Sequence, residues 1–362
     1  MKKLTILLAF IAMMLLLVLN TAYSRELPVS AQLKLYGTYI NNVFQNYMPE
    51  SDYVTLTYLN TSYDISPGAS IFYDANLNLF TEHSDLQNHT HYLGTDYERA
   101  ILQDKGRLYL GGKIGIRQNT SEYADYNRRS FDTYATLKYY LTKTTLAKIS
   151  YGIEYGSYPN LRTFNFLENY GFLQLSKSFQ TRTTLQTMLE TGRRDYPDMY
   201  NDVSGSYTSQ ITTSVKLAQS LADSTGLQLQ YLWHHAPHGL EEQYIGDAYY
   251  SAEEFFDDEY TYSGGEYRIV LKHLAQWGIT LKASLSMKDR NYNVSTIYTE
   301  DGSREDRDLA FRFEIEKGFS LPLDAATDFA LHIQFLHRKS KSNDPYYDYS
   351  TNMLSIGTKA AF

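Results

Sequence analysis

Apolar and polar side chains alternate along nearly the whole chain after residue 25. In residues 71–80 (IFYDANLNLF), one face carries five apolar or aromatic side chains, and Asp74, Asn76 and Asn78 lie on the other face. The same alternation recurs in RLYLGGKIGIR, LAFRFEIEK and DFALHIQFLHR, at residues 107–117, 309–317 and 328–338. A period of two over eight to ten residues is the signal of a strand, and no segment shows the helical period. The pattern therefore predicts an all-β chain.

The alternation and the turn residues together predict about sixteen strands. The predicted strands are 31–41, 51–63, 68–80, 92–102, 106–118, 129–141, 146–158, 165–178, 182–195, 205–219, 224–236, 261–274, 278–292, 306–319, 327–341 and 347–362. The fourth segment has the weakest alternation. Losing it removes a pair of strands, so fourteen is the alternative number.

The connections between these strands alternate in length. Short connections are predicted at 65–68, 103–106, 142–145, 222–225 and 277–278. Longer polar loops are predicted at 41–50, 81–91, 118–128, 195–205, 237–260 and 292–306. Short turns at one edge and long loops at the other are typical of a transmembrane β-barrel with antiparallel neighbours.

The chain ends on an amphipathic strand. In residues 349–362 (YSTNMLSIGTKAAF), Leu354, Ile356 and the terminal Phe362 share one face. Unpaired strand edges are not tolerated in hydrocarbon. The last strand is therefore expected to pair with the first, with these three side chains facing lipid.

This C-terminal strand resembles the signature of bacterial outer-membrane β-barrel proteins of the porin-like superfamily. The resemblance implies a single closed antiparallel barrel in the outer membrane, surrounded by lipid and lipopolysaccharide, with Phe362 read by the barrel assembly machinery. The segment SNDPYYDY, residues 342–349, is similar to the last hairpin of barrel domains in exopolysaccharide exporters and surface-lipoprotein assembly modifiers. A second interpretation of this segment is a local turn, because Asn343 and Asp344 precede Pro345.

The N-terminus has the features of an export signal. Lys2 and Lys3 precede an apolar run over residues 4–19, and Ala22-Tyr23-Ser24 offers a small-residue cleavage site. This pattern predicts a cleaved signal peptide over residues 1–24 and a barrel domain over residues 25–362.

The composition is aromatic but not hydrophobic. The chain holds 35 Tyr, 17 Phe and 2 Trp and has no cysteine, and its mean hydropathy is −0.43. Tyr and Trp suit the boundary between lipid and water. Aromatic girdles are therefore predicted to include Tyr151, Tyr155, Tyr231, Trp233 and Tyr267.

The alternation turns many charged residues toward the lumen, although the whole chain is acidic. It carries 33 Lys and Arg against 41 Asp and Glu, a formal net charge of −8. Basic residues concentrate in predicted strands 12–14, and we call this set the basic wall: Arg268, Lys272, Lys282, Lys288, Arg290 and Arg312. Rings of Lys and Arg favour anions in a pore. In the alternative interpretation these residues only pair with lumen carboxylates, such as Glu314.

Other candidate chemistry is weak. The loop over residues 239–260 has eight carboxylates and no Lys or Arg, which fits a solvated surface loop, an inward constriction or a Ca²⁺ site without the usual ligand spacing. His234, His235 and His238 cannot all converge, because successive strand side chains point to opposite faces. No metal site and no cofactor are predicted.

The functional prediction is porin-like passage of small solutes or ions, with an anion-favouring lumen as the finer hypothesis. The alternative is a surface-interaction or export-associated barrel, acting on polysaccharide or lipoprotein through its long loops. No enzymatic motif is found, and the acidic balance with an export signal gives no support to nucleic-acid binding. The solute and the oligomeric state stay open.

Overall fold

The protein is a closed antiparallel β-barrel. The computed structural model describes residues 28–103, 105–198, 207–238, 243–245, 248–250, 261–292, 303–320 and 328–361. Its strands are β1 (Val29–Ile40), β2 (Asp52–Ser66), β3 (Ala69–Phe80), β4 (Asn88–Ile101), β5 (Gly106–Asn119), β6 (Arg128–Thr142), β7 (Thr145–Ser157), β8 (Phe166–Ser178), β9 (Thr183–Asp195), β10 (Tyr207–Ala222), β11 (Thr225–His238), β12 (Gln243–Ile245), β13 (Ala248–Tyr250), β14 (Tyr262–Leu274), β15 (Ile279–Tyr292), β16 (Glu305–Ser320), β17 (Asp328–Ser342) and β18 (Tyr349–Ala361).

Sixteen of these strands form the barrel, which confirms the predicted number. Each pairs with its neighbours in chain order, and β12 and β13 form a separate two-stranded hairpin in the loop between β11 and β14. The weakest predicted strand is present as β4 and begins at Asn88, four residues before the predicted start. The amide of Asn78 donates to the Asn88 side chain at 2.9 Å, which extends the pairing with β3.

The last strand closes the barrel on the first. β18 pairs with β1 from Gln32 opposite Ala361 to Ile40 opposite Met353. Inside the barrel, the hydroxyl groups of Thr38 and Ser355 lie 2.8 Å apart and are buried. Closure therefore leaves neither edge of the sheet unpaired.

Strand pairing and alternation fix which side chains point outward. The outward face carries exposed Leu, Ile and Phe side chains, including Leu354 at 45% and Ile356 at 58% exposure. All five predicted girdle residues are also on this face. Phe362 and the proposed signal peptide lie outside the described residues.

The two rims of the barrel differ, as the connection lengths predicted. Two-residue turns join β2 to β3, β6 to β7 and β10 to β11. We call this edge the turn rim and the opposite edge the loop rim. At the loop rim, short 3₁₀ turns occupy Ser84–Leu86, Ser121–Tyr126, Arg162–Phe164 and Pro345–Tyr347.

No helix in the described part of the chain is long and apolar enough to cross a membrane.

The outward face predicts an asymmetric response to charge. Ile333 on β17 is outward and lies opposite Ile356, whereas the next residue, Gln334, points inward near Glu314. Ile333→Arg should lower the free energy of unfolding in lipid by about 2–4 kcal/mol, because Arg at the lipid midplane is costly. The measurement is denaturant unfolding in liposomes. Gln334→Arg is the control and should change it by about 0.5 kcal/mol or less; equal losses in both variants would contradict this assignment of faces.

Candidate functional site: the barrel lumen

All six residues of the basic wall point into the lumen. Arg268 and Lys272 lie on β14, Lys282, Lys288 and Arg290 lie on β15, and Arg312 lies on β16. Lys288 is opposite Glu266, Arg268 is opposite Ser286, and Lys272 is opposite Lys282. Arg312 is opposite Ser284. The wall therefore forms a track of cations that runs from near the loop rim, at Arg290, to near the turn rim.

Arg268, Lys282 and Arg290 of the wall are ion-paired. Arg268 lies 2.6 Å from Glu266, and Lys282 lies 3.1 Å from Glu314. Arg290 contacts Asp308 at 2.8 Å and Asp306 at 3.4 Å. Within the described residues, no ion pair involves Lys272 or Arg312. The pairing interpretation therefore holds for part of the wall, and two cations stay available to solutes.

A buried charge network lies at the loop rim, at the end of the basic wall that Arg290 forms. Arg290, Arg304, Asp306 and Asp308 have side chains that are 8% exposed or less. Arg338 also contacts Asp308. Replacing one residue of such a network by a neutral one leaves the opposite charge buried without an ionic partner. We infer that this network narrows and stiffens the loop end of the lumen.

A second network lies across the lumen on β6 to β9. Arg194 donates to Glu168 at 2.6 Å, and both side chains are buried. Arg128 contacts Glu154. The Phe166 ring lies between the two guanidinium groups, 5.1 Å from Arg128 and 4.7 Å from Arg194. The loop half of the lumen is thus narrowed from both sides.

The register adds carboxylates that the sequence did not assign to the lumen. We call the inward acids of β2 to β4 the acidic wall: Asp52, Asp64, Asp74, Asp96 and Glu98. Only Asp74 among them was predicted to face inward. On β16, Asp306 and Asp308 are further inward acids. The lumen therefore has a smaller excess of positive charge than the sequence suggested, because the inward acids nearly match the inward bases in number.

The acidic wall and the most basic strands lie on different sides of the lumen. In one direction around the closed sheet, the four strands β16, β17, β18 and β1 separate β15 from β2. In the other direction, the seven strands β5 to β11 separate β4 from β14. A solute in the lumen therefore meets the basic wall, with its paired carboxylates, on one side and the acidic wall on the other.

Inward tyrosines lie flat against glycines, a feature that the sequence reading missed. Tyr134 is opposite Gly111, and its hydroxyl reaches past that glycine to donate to Asp96 at 2.7 Å. A Cβ atom at Gly111 would lie 2.5 Å from the Tyr134 ring. Tyr170 covers Gly152 in the same way and donates to Asp132 at 2.7 Å. Many Tyr residues thus line the lumen, and tyrosine is not confined to the lipid girdles. A missing Cβ lets each ring lie along the wall and keeps the lumen wider.

His234 and His235 lie on opposite faces of β11, and the side chain of His238 lies outside the described part of the chain. His234 points inward and its Nδ1 lies 2.7 Å from the Thr212 hydroxyl. His235 points outward, stacks on Trp233 at 5.6 Å and lies 3.1 Å from the Ser263 hydroxyl. Most of the acidic loop over residues 239–260 lies outside the described residues. Across the described ranges, no group of three His or acidic residues is placed to hold a metal ion.

The last hairpin closes over the buried network. The Asp344 side chain accepts from the Tyr346 amide at 2.8 Å, which fits the turn interpretation of this segment. The ring of Tyr347 lies 3.5 Å from the Arg304 guanidinium carbon, and Tyr292 lies 3.8 Å from the same atom. The hairpin therefore packs an aromatic ring against a buried cation at the loop rim.

One histidine ties two loops together outside the membrane-spanning strands. His83 Nε2 lies 2.9 Å from Glu50, and its Nδ1 lies 3.0 Å from Asp52. The hydrogen bond to Glu50 is the largest cause that raises the pKa of His83, the bond to Asp52 adds to it, and burial opposes both. Asp52 also accepts from the amides of Thr81 and Glu82. This staple joins the loop after β1 to the loop after β3.

Solved structures of bacterial proteins have folds similar to that of this chain. OccK8 (OprE) of Pseudomonas aeruginosa is 10% identical, with a TM-score of 0.54 over 92% of this chain and 98% of that chain. The outer membrane protein OpdK of P. aeruginosa is 11% identical, with a TM-score of 0.52 over 92% and 99%. OccAB1 of Acinetobacter baumannii is 9% identical, with a TM-score of 0.56 over 92% and 96%. At these identities the likeness shows the closed antiparallel barrel fold alone.

No protein-family model matches the chain, and no curated protein matches it in sequence.

The tyrosine–glycine contacts predict a sharp difference between two glycine substitutions. Gly111→Ala should lower the free energy of unfolding by about 1–3 kcal/mol, because the added Cβ overlaps the Tyr134 ring and Asp96. Gly318 is also inward, but a Cβ there has no neighbour within 4 Å. Denaturant unfolding of Gly111→Ala and of the control Gly318→Ala measures the difference. An equal effect of the two substitutions would show that the close contact between Tyr134 and Gly111 does not contribute to the stability of the barrel.

The His83 staple predicts a loop that loosens as pH rises. Because the folded-state pKa of His83 is raised, its contribution is complete below the ordinary value of about 6.5 and is lost as pH rises through the folded-state pKa. Hydrogen-exchange protection of the Thr81 and Glu82 amides should therefore fall above that pH. Glu50→Gln should move the pKa of His83, measured by NMR titration, down toward its ordinary value. A pKa that does not change in Glu50→Gln would contradict the assigned cause.

Proposed function

We propose that the protein is a channel of the bacterial outer membrane that lets small polar solutes pass through its lumen. The observation that carries the proposal is the charged lumen of a closed sixteen-stranded barrel, which is lined by the basic wall on one side and the acidic wall on another. Barrels of this strand number are wide enough for an aqueous channel. Side chains that face only lipid or only a packed core would not need this many charges.

The basic wall supports a finer proposal, a preference for anionic groups. Lys272 and Arg312 point inward without an ion pair in the described part of the chain, so they can attract an anion that enters. The OpdK protein has also been solved with vanillate, an aromatic carboxylate, at a TM-score of 0.50 to this chain. The acidic wall opposes the basic wall, so we propose a moderate preference for anions and not strict selection.

The proposal places the turn rim in the periplasm and the loop rim outside the cell, as in barrels of this class. It gives the protein no catalytic role. Lipid and lipopolysaccharide around the barrel, and the barrel assembly machinery during biogenesis, remain predicted partners. The surface-interaction alternative depends on loops of which large parts lie outside the described residues.

Selectivity measurements test the proposal. The refolded protein in a planar bilayer should conduct, and its reversal potential in a salt gradient should show a preference for anions. The double variant Lys272→Gln, Arg312→Gln should shift the reversal potential toward cation preference. A unit positive charge about 7 Å from an anion in water contributes about 0.6 kcal/mol, which is about a threefold local enrichment of that anion. Low salt keeps screening small.

Two neighbouring residues on β16 provide controls. Glu316 points inward and Lys317 points outward. Glu316→Gln should shift the reversal potential toward anions, whereas Lys317→Gln should leave it unchanged. A barrel that never conducts would refute the channel, and a conducting barrel with no shift in Lys272→Gln with Arg312→Gln would refute only the role of the basic wall.

A further inference from the structure

Inward lysines near the turn rim are arranged in directly opposed pairs on neighbouring strands. We call the six residues the lysine collar: Lys34 opposite Lys359, Lys138 opposite Lys148, and Lys272 opposite Lys282. Each lies within five residues of the end of its strand at the turn rim. The collar shares two residues with the basic wall and adds four that the wall does not contain.

Direct opposition of like charges is unfavourable in a sheet. A neutral pair is available at the next inward position of β6 and β7, where the hydroxyl groups of Thr136 and Ser150 lie 2.7 Å apart. The same unfavourable pairing nevertheless occurs three times near one rim. The electrostatic repulsion within each lysine pair is relieved when an anion lies between the two cations.

Carboxylates neutralise only part of the collar. Lys282 is paired with Glu314 at 3.1 Å. Arg107 lies opposite Lys138 and extends that pair, but it is itself paired with Glu98. In the described ranges, five collar lysines form no ion pair: Lys34, Lys138, Lys148, Lys272 and Lys359. Asp328, two positions from the partner of Lys359, and Glu316, two positions from the partner of Lys282, are further inward carboxylates close to this row. Asp64 and Glu98 of the acidic wall lie near the same rim.

The loop rim has the opposite character. Arg128, Arg194 and Arg290 each contact a carboxylate in the networks described above. The cations at that end therefore hold the wall together. Five of the six collar lysines at the turn rim form no ion pair in the described ranges, so the two mouths of the barrel differ in how far their cations are neutralised by the protein.

The pairs are spread around the barrel. Four strands, β2 to β5, lie between the first pair and the second, and four strands, β8 to β11, lie between the second and the third. Two strands, β16 and β17, complete the circle. Cations therefore reach the mouth from three sides, as a ring that attracts anions requires.

We propose that the lysine collar is a binding station for small multivalent oxyanions, either polycarboxylates or phosphates, at the turn-rim mouth of the lumen. Two or more negative charges on one solute can neutralise both lysines of a pair, which the single charge of a monovalent anion cannot do. The proposal depends on the proposed channel function for the route by which the anion arrives. The binding itself requires only that the mouth is open to solution.

A side-specific block of conductance tests the collar. Citrate and pyrophosphate are the probes, and acetate at equal ionic strength is the monovalent control. Because the chain has no cysteine, Ser224→Cys in the turn between β10 and β11 can be labelled with a membrane-impermeant thiol reagent to identify the turn side of the bilayer. Both probes should block at lower concentration from the turn side than from the loop side, and acetate should not block.

The variant pair gives the decisive comparison. Lys138→Gln with Lys148→Gln should raise the half-blocking concentration from the turn side about tenfold, or about 1.4 kcal/mol. This variant removes a like-charge opposition, so it should fold at least as well as the parent protein. Lys177→Gln with Lys317→Gln is the control, because these lysines lie near the same rim on the outward face. Block that is equal from both sides, or unchanged in the collar variant, would overturn the proposal.

Equilibrium binding separates failure of the collar from failure of the channel. Citrate should raise the unfolding temperature of the refolded protein more than acetate at equal ionic strength, because a ligand stabilises the state that binds it. The collar variant should lose this shift. If the barrel does not conduct but this shift is present and lost in the variant, the collar stands and the channel is refuted. If neither citrate nor pyrophosphate gives a shift, the collar is refuted whether or not the barrel conducts. A response to only one probe would tell whether carboxylates or phosphates are the ligands.

Discussion

The rest of the structure depends on the need to pair every strand edge. In lipid an unpaired backbone amide or carbonyl has no water to bind, so a sheet that spans the membrane must close. The pairing of β18 with β1 satisfies this need and fixes the register of all sixteen strands. The register then decides which side chains meet in the lumen. A shift of one residue would send each strand's lumen side chains to lipid.

The register of the strands places different sets of charged side chains at the two mouths of the barrel. Near the loop rim, buried arginines and carboxylates pair across neighbouring strands, as for Arg194 with Glu168 and Arg290 with Asp308. Near the turn rim, lysines oppose lysines. Buried pairs are costly to break, so the first group suits a rigid constriction. The second group stays solvated and suits contact with solutes. In the proposed channel, the charges at the loop rim stabilise the barrel, and the lysines at the turn rim contact solutes.

The strands could be predicted from the sequence because alternation is a local property. Predicted and observed boundaries mostly agree to within three residues, and the largest difference, at the start of β4, comes from a side-chain contact between Asn78 and Asn88. The inward position of the basic wall followed from the same alternation. The ion-pair partners of the basic wall could not be predicted from this alternation, because they depend on which residues of neighbouring strands lie side by side. Asp308 near Arg290 is one example.

The roles of tyrosine and of the inward acids show the same limit. Tyrosine was predicted for the boundary between lipid and water, but the ring of Tyr134 lies over Gly111 in the lumen, a contact between neighbouring strands. The acids Asp96 and Glu98 belong to the segment with the weakest alternation, so their face could not be assigned with the clarity of β16. Fold likeness to other barrels does not supply these details either, because a fold does not determine a function.

The most direct test of the central claim is a cysteine scan over residues 266–272 of β14. The chain has no cysteine of its own, so each substitution can be labelled alone, in liposomes, with a water-soluble thiol reagent. The account predicts labelling at positions 266, 268, 270 and 272, which face the lumen, and protection at 267, 269 and 271, which face lipid. Protection at all seven positions would contradict a water-filled lumen, and labelling at the odd positions would contradict the register.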